Sequence, residues 1–262
     1  MIDKKDFLLQ SMIKAYIEHL EPIGSSQLKS LYDIRFSPAT IRGYFRKLAE
    51  EGYLKQEHIS SGRIPTVEAL KEYWNNRISA DIGNIDLRKL EFFASQLNLT
   101  VFMMQEKQNK LEHIFNIENR FMILEFDEFS INIKYNQALF KFLGDMVGLE
   151  LNDILKISKQ VGAYELYEEM SSKVSNSLFE IMNIKNYLRI AVEYDLDENI
   201  INNFLRGHIL EQLDEGIYFE DILPMGYIGI CHNCKIKDED VKIFVVGELA
   251  KDYEYFYNNI KE

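Results

Sequence analysis

The sequence predicts an α+β chain in two parts. A winged helix-turn-helix head spans residues 1–78 and an α+β body spans residues 79–262. Three observations carry this prediction. Two helical segments precede a strongly capped third helix, which runs into a strand, a Gly-containing tip and a return strand. The remainder mixes strand-length apolar runs with amphipathic helical runs. Charge is also divided unevenly. Residues 1–78 hold 12 Lys/Arg against 10 Asp/Glu, for +2, and residues 79–262 hold 18 against 32, for −14. Between Lys29 and Thr66 seven basic residues face four acidic ones, for +3, inside a chain of net charge −12. A basic head on an acidic body repels nucleic acid everywhere except at the head.

The elements follow in order. Leu8, Leu9, Met12, Ile13, Tyr16, Ile17 and Leu20 recur at helical spacing on one face. Pro22 disfavours helix at Glu21 and ends the segment. GSSQLKSLY gives a short second helix opened by Gly24 and the capping-type Ser25. DIRF is a turn. In SPATIRGYFRKLAEEGYL, Ser37 is an N-cap, Pro38 occupies the first helical position, and Gly52 ends the helix. Ile41, Phe45 and Leu48 share the inward face. Ala39, Gly43, Arg46 and Glu50 lie opposite, flanked by Thr40, Arg42 and Lys47. Gly43 is unusual, because a mid-helix glycine costs about 1 kcal/mol relative to alanine. A closely approaching surface such as a DNA groove gives a reason to accept that cost.

YLKQEHISSGRIPT then reads as a β-hairpin wing, with Gly62 permitting a tight turn. Thr66 caps a fourth helix, VEALKEYWNNRI. The candidate DNA-contacting residues are Ser37, Ala39, Thr40, Arg42, Gly43, Arg46 and Lys47 on the third helix and its cap. His58, Ser60, Ser61 and Arg63 join them from the wing.

The body begins with a short helix over Leu87–Leu97. LTVFMMQ, LEHIFNI, RFMILEF and SINIKYN are expected as one antiparallel meander. QALFKFLGDMVG and the run from LELNDILK to SLFEIM read as helical, YLRIAVEY as a strand, and DENIINNFLRGHILEQLD as helical. GYIGICHN and VKIFVVGEL form a strand pair, followed by the helix KDYEYFYNNI.

Several classes of protein are set aside. No apolar run reaches the ~18 residues of a membrane helix. MIDKKDFLLQSMIK lacks the apolar core of a secretion leader, so a cytoplasmic protein is expected. Two cysteines, Cys231 and Cys234, are too few for a disulfide framework. There is no GxGxxG after a strand, no GxxxxGK[ST] and no HExxH, and no carboxylate pair argues for acid–base work. The chain is therefore expected not to be an enzyme and to carry no cofactor. CHNC at 231–234 supplies two thiols where tetrahedral zinc needs four ligands, so it reads first as two small strand residues. The aromatic run around Tyr253, Tyr255, Phe256 and Tyr257 reads as core or as a dimer surface.

EPIGSSQL, SPATIRGYFRKLAEEGYLKQEHISSGRIPT and the following YW, over about residues 7–76, resemble the heat-inducible transcription repressor HrcA family. The ATIR and SSGRIPT strings stand in the family's order and spacing. The departures are Gly43-Tyr44-Phe45 where the family has Asn-Asp-Met, and Glu57 and Ile59 beside His58. KLEHIFNI, RFMILEF, GLELNDI and VVGELAKDY resemble weakened versions of the family's later segments. The resemblance implies a GAF-like α+β body with a helical dimerisation insertion, shortened here and falling within about 145–185. It implies a homodimer on double-stranded operator DNA, an inverted repeat of the CIRCE type. It further implies control of chaperone operons, relief of repression on heat shock, and support from a GroEL-type chaperonin. A second reading is a small-molecule- or metal-responsive winged-helix regulator, with the body or CHNC as sensor.

Overall fold

The computed structural model describes residues 3–56, 58, 62–79, 82–105, 109–127, 129–174, 179–237 and 239–262. It is a mixed α+β structure that divides into two compact units. One comprises Met1–Met104 with Phe179–Glu262, and the other Gln105–Leu178.

The first unit begins with α1 (Lys4–His19), α2 (Ser25–Leu31) and α3 (Pro38–Glu50). Asp3 caps α1 by accepting from the Lys5 amide. Ser37 caps α3 by accepting from the Thr40 amide at 3.1 Å, with Pro38 at the start of the helix. Ile41, Phe45 and Leu48 of α3 bury against Leu8, Met12 and Ile13 of α1 and Leu28 of α2. Gly52, at φ 84°, turns the chain out of α3. The two-residue strands β1 (Leu54–Lys55) and β2 (Ile64–Pro65) then pair antiparallel, Leu54 opposite Pro65. Thr66 caps α4 (Val67–Asn75), its hydroxyl accepting from the Ala69 amide.

The tight turn expected at Gly62 involves residues 59–61, which lie outside the described residues, but Gly62 itself meets a steric demand. Its backbone needs no left-handed φ. It lies directly against Ile23, where a Cβ would come within 2.5 Å of the Ile23 carbonyl carbon. The next residue, Arg63, exchanges two 2.9 Å backbone hydrogen bonds with Ile23. The chain between α1 and α2 thus adds a bridge to the hairpin.

The same unit contains α5 (Leu87–Gln96) and, after it, β3 (Thr100–Gln105), whose last residue opens the second unit. In the second unit, β4 (Leu111–Ile117), β5 (Phe121–Phe126) and β6 (Ser130–Lys134) form an antiparallel meander. Glu118 and Asn119 both take positive φ in the three-residue connection between β4 and β5, as the two central residues of the turn closed by the Arg120 amide on the Ile117 carbonyl. α6 (Gln137–Gly144), α7 (Leu151–Gln160) and α8 (Tyr164–Val174) complete this unit. Its core gathers Leu111, Met122, Leu124 and Ile133 with Leu143, Ile154 and Met170.

The chain then re-enters the first unit with β7 (Phe179–Met182), α9 (Ile184–Glu193), α10 (Glu198–Leu205) and α11 (His208–Gln212). β8 (Gly216–Tyr218), β9 (Tyr227–Ile236), β10 (Glu239–Glu248) and α12 (Tyr253–Asn259) complete it. The strands build one sheet in the order β7-β3-β10-β9-β8. Alternate side chains serve two cores. Val101, Ile230, Ile243 and Val245 face Leu90 of α5 and Phe256 of α12. Phe102, Cys231, Phe244 and Val246 face Tyr187, Ile190, Phe204 and Leu210 of α9, α10 and α11. Lys242 reaches the end of α11 and donates to the Leu210 and Leu213 carbonyls at 3.0 and 2.9 Å.

Three expectations about the body are corrected. LTVFMMQ does not join the meander. Its residues 100–104 are almost wholly buried, and it lies between β7 and β10 in the other sheet. FEIM is a strand rather than the end of a helix, paired with β3. YLRIAVEY is helical, because Tyr187, Ile190 and Ala191 bury one face of α9 at three- and four-residue spacing.

Candidate nucleic-acid interface

Five of the eleven sequence-predicted residues come together on the outward side of α3. Ala39, Arg42, Gly43 and Arg46 line a groove of about 600 Å³ with Ile23, Gly24 and Ser25 at the start of α2, and Gln56, Gly62 and Arg63 of the hairpin. Each element is held from behind. Ile41, Phe45 and Leu48 anchor α3 in the core, and Ile23 and Ile64 anchor the chain on either side of the bridge.

The groove is cationic and its cations are available. Arg42 and Arg46 are exposed, and Arg63 is half-buried. The Arg42 guanidinium donates to the Ser25 hydroxyl at 3.3 Å, which draws it across the start of α2. The Arg63 Nε is buried without a hydrogen-bond partner. In the first unit Glu51 pairs with Lys5 and Glu18 with Lys14, while Glu50, one turn beyond Arg46 on the same face of α3, is exposed. Among the described residues, none forms an ion pair with Arg42, Arg46, Lys47 or Arg63. Gly43 faces open space, with no atom within 4 Å of where a Cβ would stand. No packing inside the chain requires a glycine there.

Ser37, Thr40, Lys47 and His58 are not among the residues that line the groove. Ser37 and Thr40 are exposed and engaged with each other, hydroxyl to hydroxyl at 2.9 Å, in the cap of α3. Lys47 sits 5.8 Å over the Tyr44 ring. His58 is exposed on the hairpin. Ser60 and Ser61 fall outside the described residues. The sequence reading missed Ser25, which enters from the start of α2, and Gln56, which lies in the expected wing but was not singled out there. The capping signal of Gly24-Ser25 had placed a helix start, not a groove wall.

CHNC is divided by the strand that carries it. Cys231 faces the core of Phe244 and Phe204, while Cys234 faces that of Ile236 and Val241. Residues three apart on a strand point to opposite sides, so the two thiols do not share one ion. Burial pushes the Cys231 thiol up to about 11 and the Cys234 thiol to about 12, away from the thiolate that metals bind.

The fold and the groove define a class: an α+β protein of two compact units carrying a cationic groove between a helix and a hairpin. Comparison with known proteins supplies the family. The family model described as the HrcA C-terminal domain matches residues 74–262. The heat-inducible transcription repressor HrcA of Helicobacter pylori (strain J99) is 29% identical over 265 residues, spanning 100% of this chain and 96% of that protein. Its counterpart from Thermodesulfovibrio yellowstonii is 26% identical over 277 residues, spanning 97% and 77%. A crystal structure of a hypothetical protein superposes with a TM-score of 0.50 at 20% identity, covering 99% of this chain and 96% of the other. The chain belongs to the HrcA family.

Proposed function

We propose that this chain is a heat-inducible transcription repressor that binds double-stranded DNA through the groove on α3. In this reading residues 1–78 act as a winged helix-turn-helix, with α3 as the recognition helix and the β1–β2 hairpin as the wing. Residues 79–262 act as a GAF-like regulatory and dimerising body. The single observation that carries the reading is the groove: three arginines, without carboxylate partners among the described residues, line it beside an open glycine on the outward face of α3. Phosphate neutralisation supplies most sequence-independent affinity for DNA, and a helix without side-chain bulk admits a base edge closely. Family membership supports the heat-shock role, since the relatives are named as heat-inducible repressors.

The finer assignments belong to the same proposal. A homodimer with equivalent heads suits an inverted-repeat operator of the CIRCE type, with repression lapsing on heat shock. A GroEL-type chaperonin is the expected partner in the cytoplasm.

The test is a titration of the full chain with an inverted-repeat duplex and a scrambled duplex across a range of salt. The expected result is two chains per inverted repeat, tighter binding to it than to the scramble, and affinity that falls steeply with salt. Absence of salt-dependent duplex binding overturns the reading.

A further inference from the structure

We infer that Gly62 and Ile23 form a positioning clamp that presents the Arg63 side chain to a DNA phosphate; this rests on the reading of the groove as a DNA interface. Three observations carry it. First, the backbone of Gly62 lies so close to Ile23 that a Cβ would meet the Ile23 carbonyl carbon at 2.5 Å, its oxygen at 2.6 Å and its nitrogen at 2.7 Å. These are backbone atoms, and they cannot swing aside as the end of a flexible side chain would. Second, this close approach is what allows Arg63 and Ile23 to exchange two 2.9 Å backbone hydrogen bonds. Ile23 itself is fully buried in the core shared by α1, α2 and α3. Third, the Arg63 Nε emerges from that bridge buried and without a hydrogen-bond partner, in the wall of the groove.

The chemistry follows from the third observation. A buried charged donor left without an acceptor is unfavourable unless a ligand completes it. Guanidinium matches the planar, bidentate oxygen pair of a phosphate. The Arg63 backbone is tied at both its N–H and its C=O, so little freedom remains to be lost when phosphate arrives. Gly62 touches no phosphate in this scheme. It acts through Arg63.

The experiment compares the full chain, Gly62→Ala, Arg63→Ala and the double variant in titrations with one duplex at several salt concentrations. Each single variant is expected to lower the slope of log affinity against log salt by about 0.9 per bound chain, one phosphate contact. The double variant is expected to lower it no further, because both changes remove the same contact. An unchanged slope for Gly62→Ala, or losses that add in the double variant, overturns the clamp. Failure of the wild-type chain to bind duplex with any salt dependence overturns the DNA reading instead. A measurement on the unaltered chain stands beside these in case Gly62→Ala does not fold. Amide exchange at Ile23 and Arg63 is expected to slow further when duplex is added, and an unchanged rate at both overturns the clamp.

Discussion

The indole nitrogen of Trp74 donates a buried 2.8 Å hydrogen bond to the carbonyl of Leu249. Trp74 lies in the last turn of α4, the helix that follows the hairpin, and Leu249 follows β10. The Trp74 ring also stands edge-on to Tyr253 of α12, 5.1 Å between centroids. One continuous apolar cluster therefore runs from Leu8 and Ile41 through Trp74 to Tyr253 and Ile243. Lys71–Glu220 and Arg77–Glu254, both at 2.6 Å, flank it. Those pairs are partly exposed and contribute about 0–1 kcal/mol each, so the tryptophan dominates this contact.

Trp74→Phe keeps an aromatic ring in the site but leaves the Leu249 carbonyl without its donor. The expected loss is about 1–3 kcal/mol, the penalty for an unsatisfied buried acceptor. Urea unfolding of the full chain checks it. The midpoint is expected to fall with an unchanged slope in denaturant. A midpoint equal to that of wild type would show that the hydrogen bond adds nothing beyond ring packing.

The two thiols give a pH dependence whose sign is fixed by their burial. Both are held protonated in the fold, to about 11 for Cys231 and about 12 for Cys234. An unfolded thiol ionises near pH 8.5. Above that pH the unfolded chain binds fewer protons than the folded one, so stability falls as pH rises. The thiol contribution is complete below about pH 8.5 and is lost through the folded values. Replacing both cysteines by alanine is expected to flatten the alkaline decline seen in chemical denaturation. In the native chain a thiol reagent at pH 8 is expected to react far more slowly than in the unfolded chain. Rapid native labelling would contradict the buried placement.

Lys242 acts as a cap from outside its helix. Its ammonium donates to two carbonyls at the end of α11, where backbone acceptors lack helical partners. Lys242→Met preserves much of the stem but removes both bonds. A destabilisation of about 1–3 kcal/mol is expected, with faster amide exchange confined to α10 and α11. Uniform acceleration across the whole first unit would point to a global rather than a local role.

These relationships differ in how far the sequence announced them. Local chemistry was legible. Ser37, Pro38 and Gly52 bracket α3 because capping, fixed φ and left-handed φ act within a few residues, and Thr66 marks α4 for the same reason. The outward face of α3 followed from helical geometry alone, which brought Arg42, Gly43 and Arg46 to one wall of the groove. The opposite wall was legible only in part: Arg63 was expected from the wing, while Ser25 arrives from α2 and Gln56 carried no charge to mark it. The reason for Gly62 was not legible, since its contact with Ile23 joins segments forty residues apart in roughly antiparallel bridging. In the body, YLRIAVEY was expected as a strand, yet burial of Tyr187, Ile190 and Ala191 on one side decided for helix. Residues 100–104 look like any strand of a meander, and only tertiary pairing assigns them to the larger sheet.

The last prediction separates reading a DNA sequence from holding the duplex. Gly43 and Arg46 stand on the outward face of α3, while Arg63 stands on the hairpin side of the same groove. In the proposed complex α3 faces base edges and Arg63 meets phosphate. Base contacts carry discrimination and phosphate contacts carry sequence-independent affinity. Arg46→Ala is expected to cost about 1–3 kcal/mol per half-site and to flatten preference at particular operator positions. Gly43→Gln is expected to weaken binding by filling the groove. It should also raise thermal stability, because a helix interior disfavours glycine by about 1 kcal/mol and the site has open space for a side chain. Arg63→Ala is expected to weaken operator and scrambled duplex alike. The measurement is affinity against salt for both duplexes, with thermal unfolding of each variant in parallel. Loss of operator binding alone by Arg63→Ala, at an unchanged salt slope, would place Arg63 on base edges in the minor groove and reverse the division between helix and hairpin. Gly43→Gln binding as tightly as wild type would show that no surface approaches α3 closely, leaving the glycine without a role in recognition.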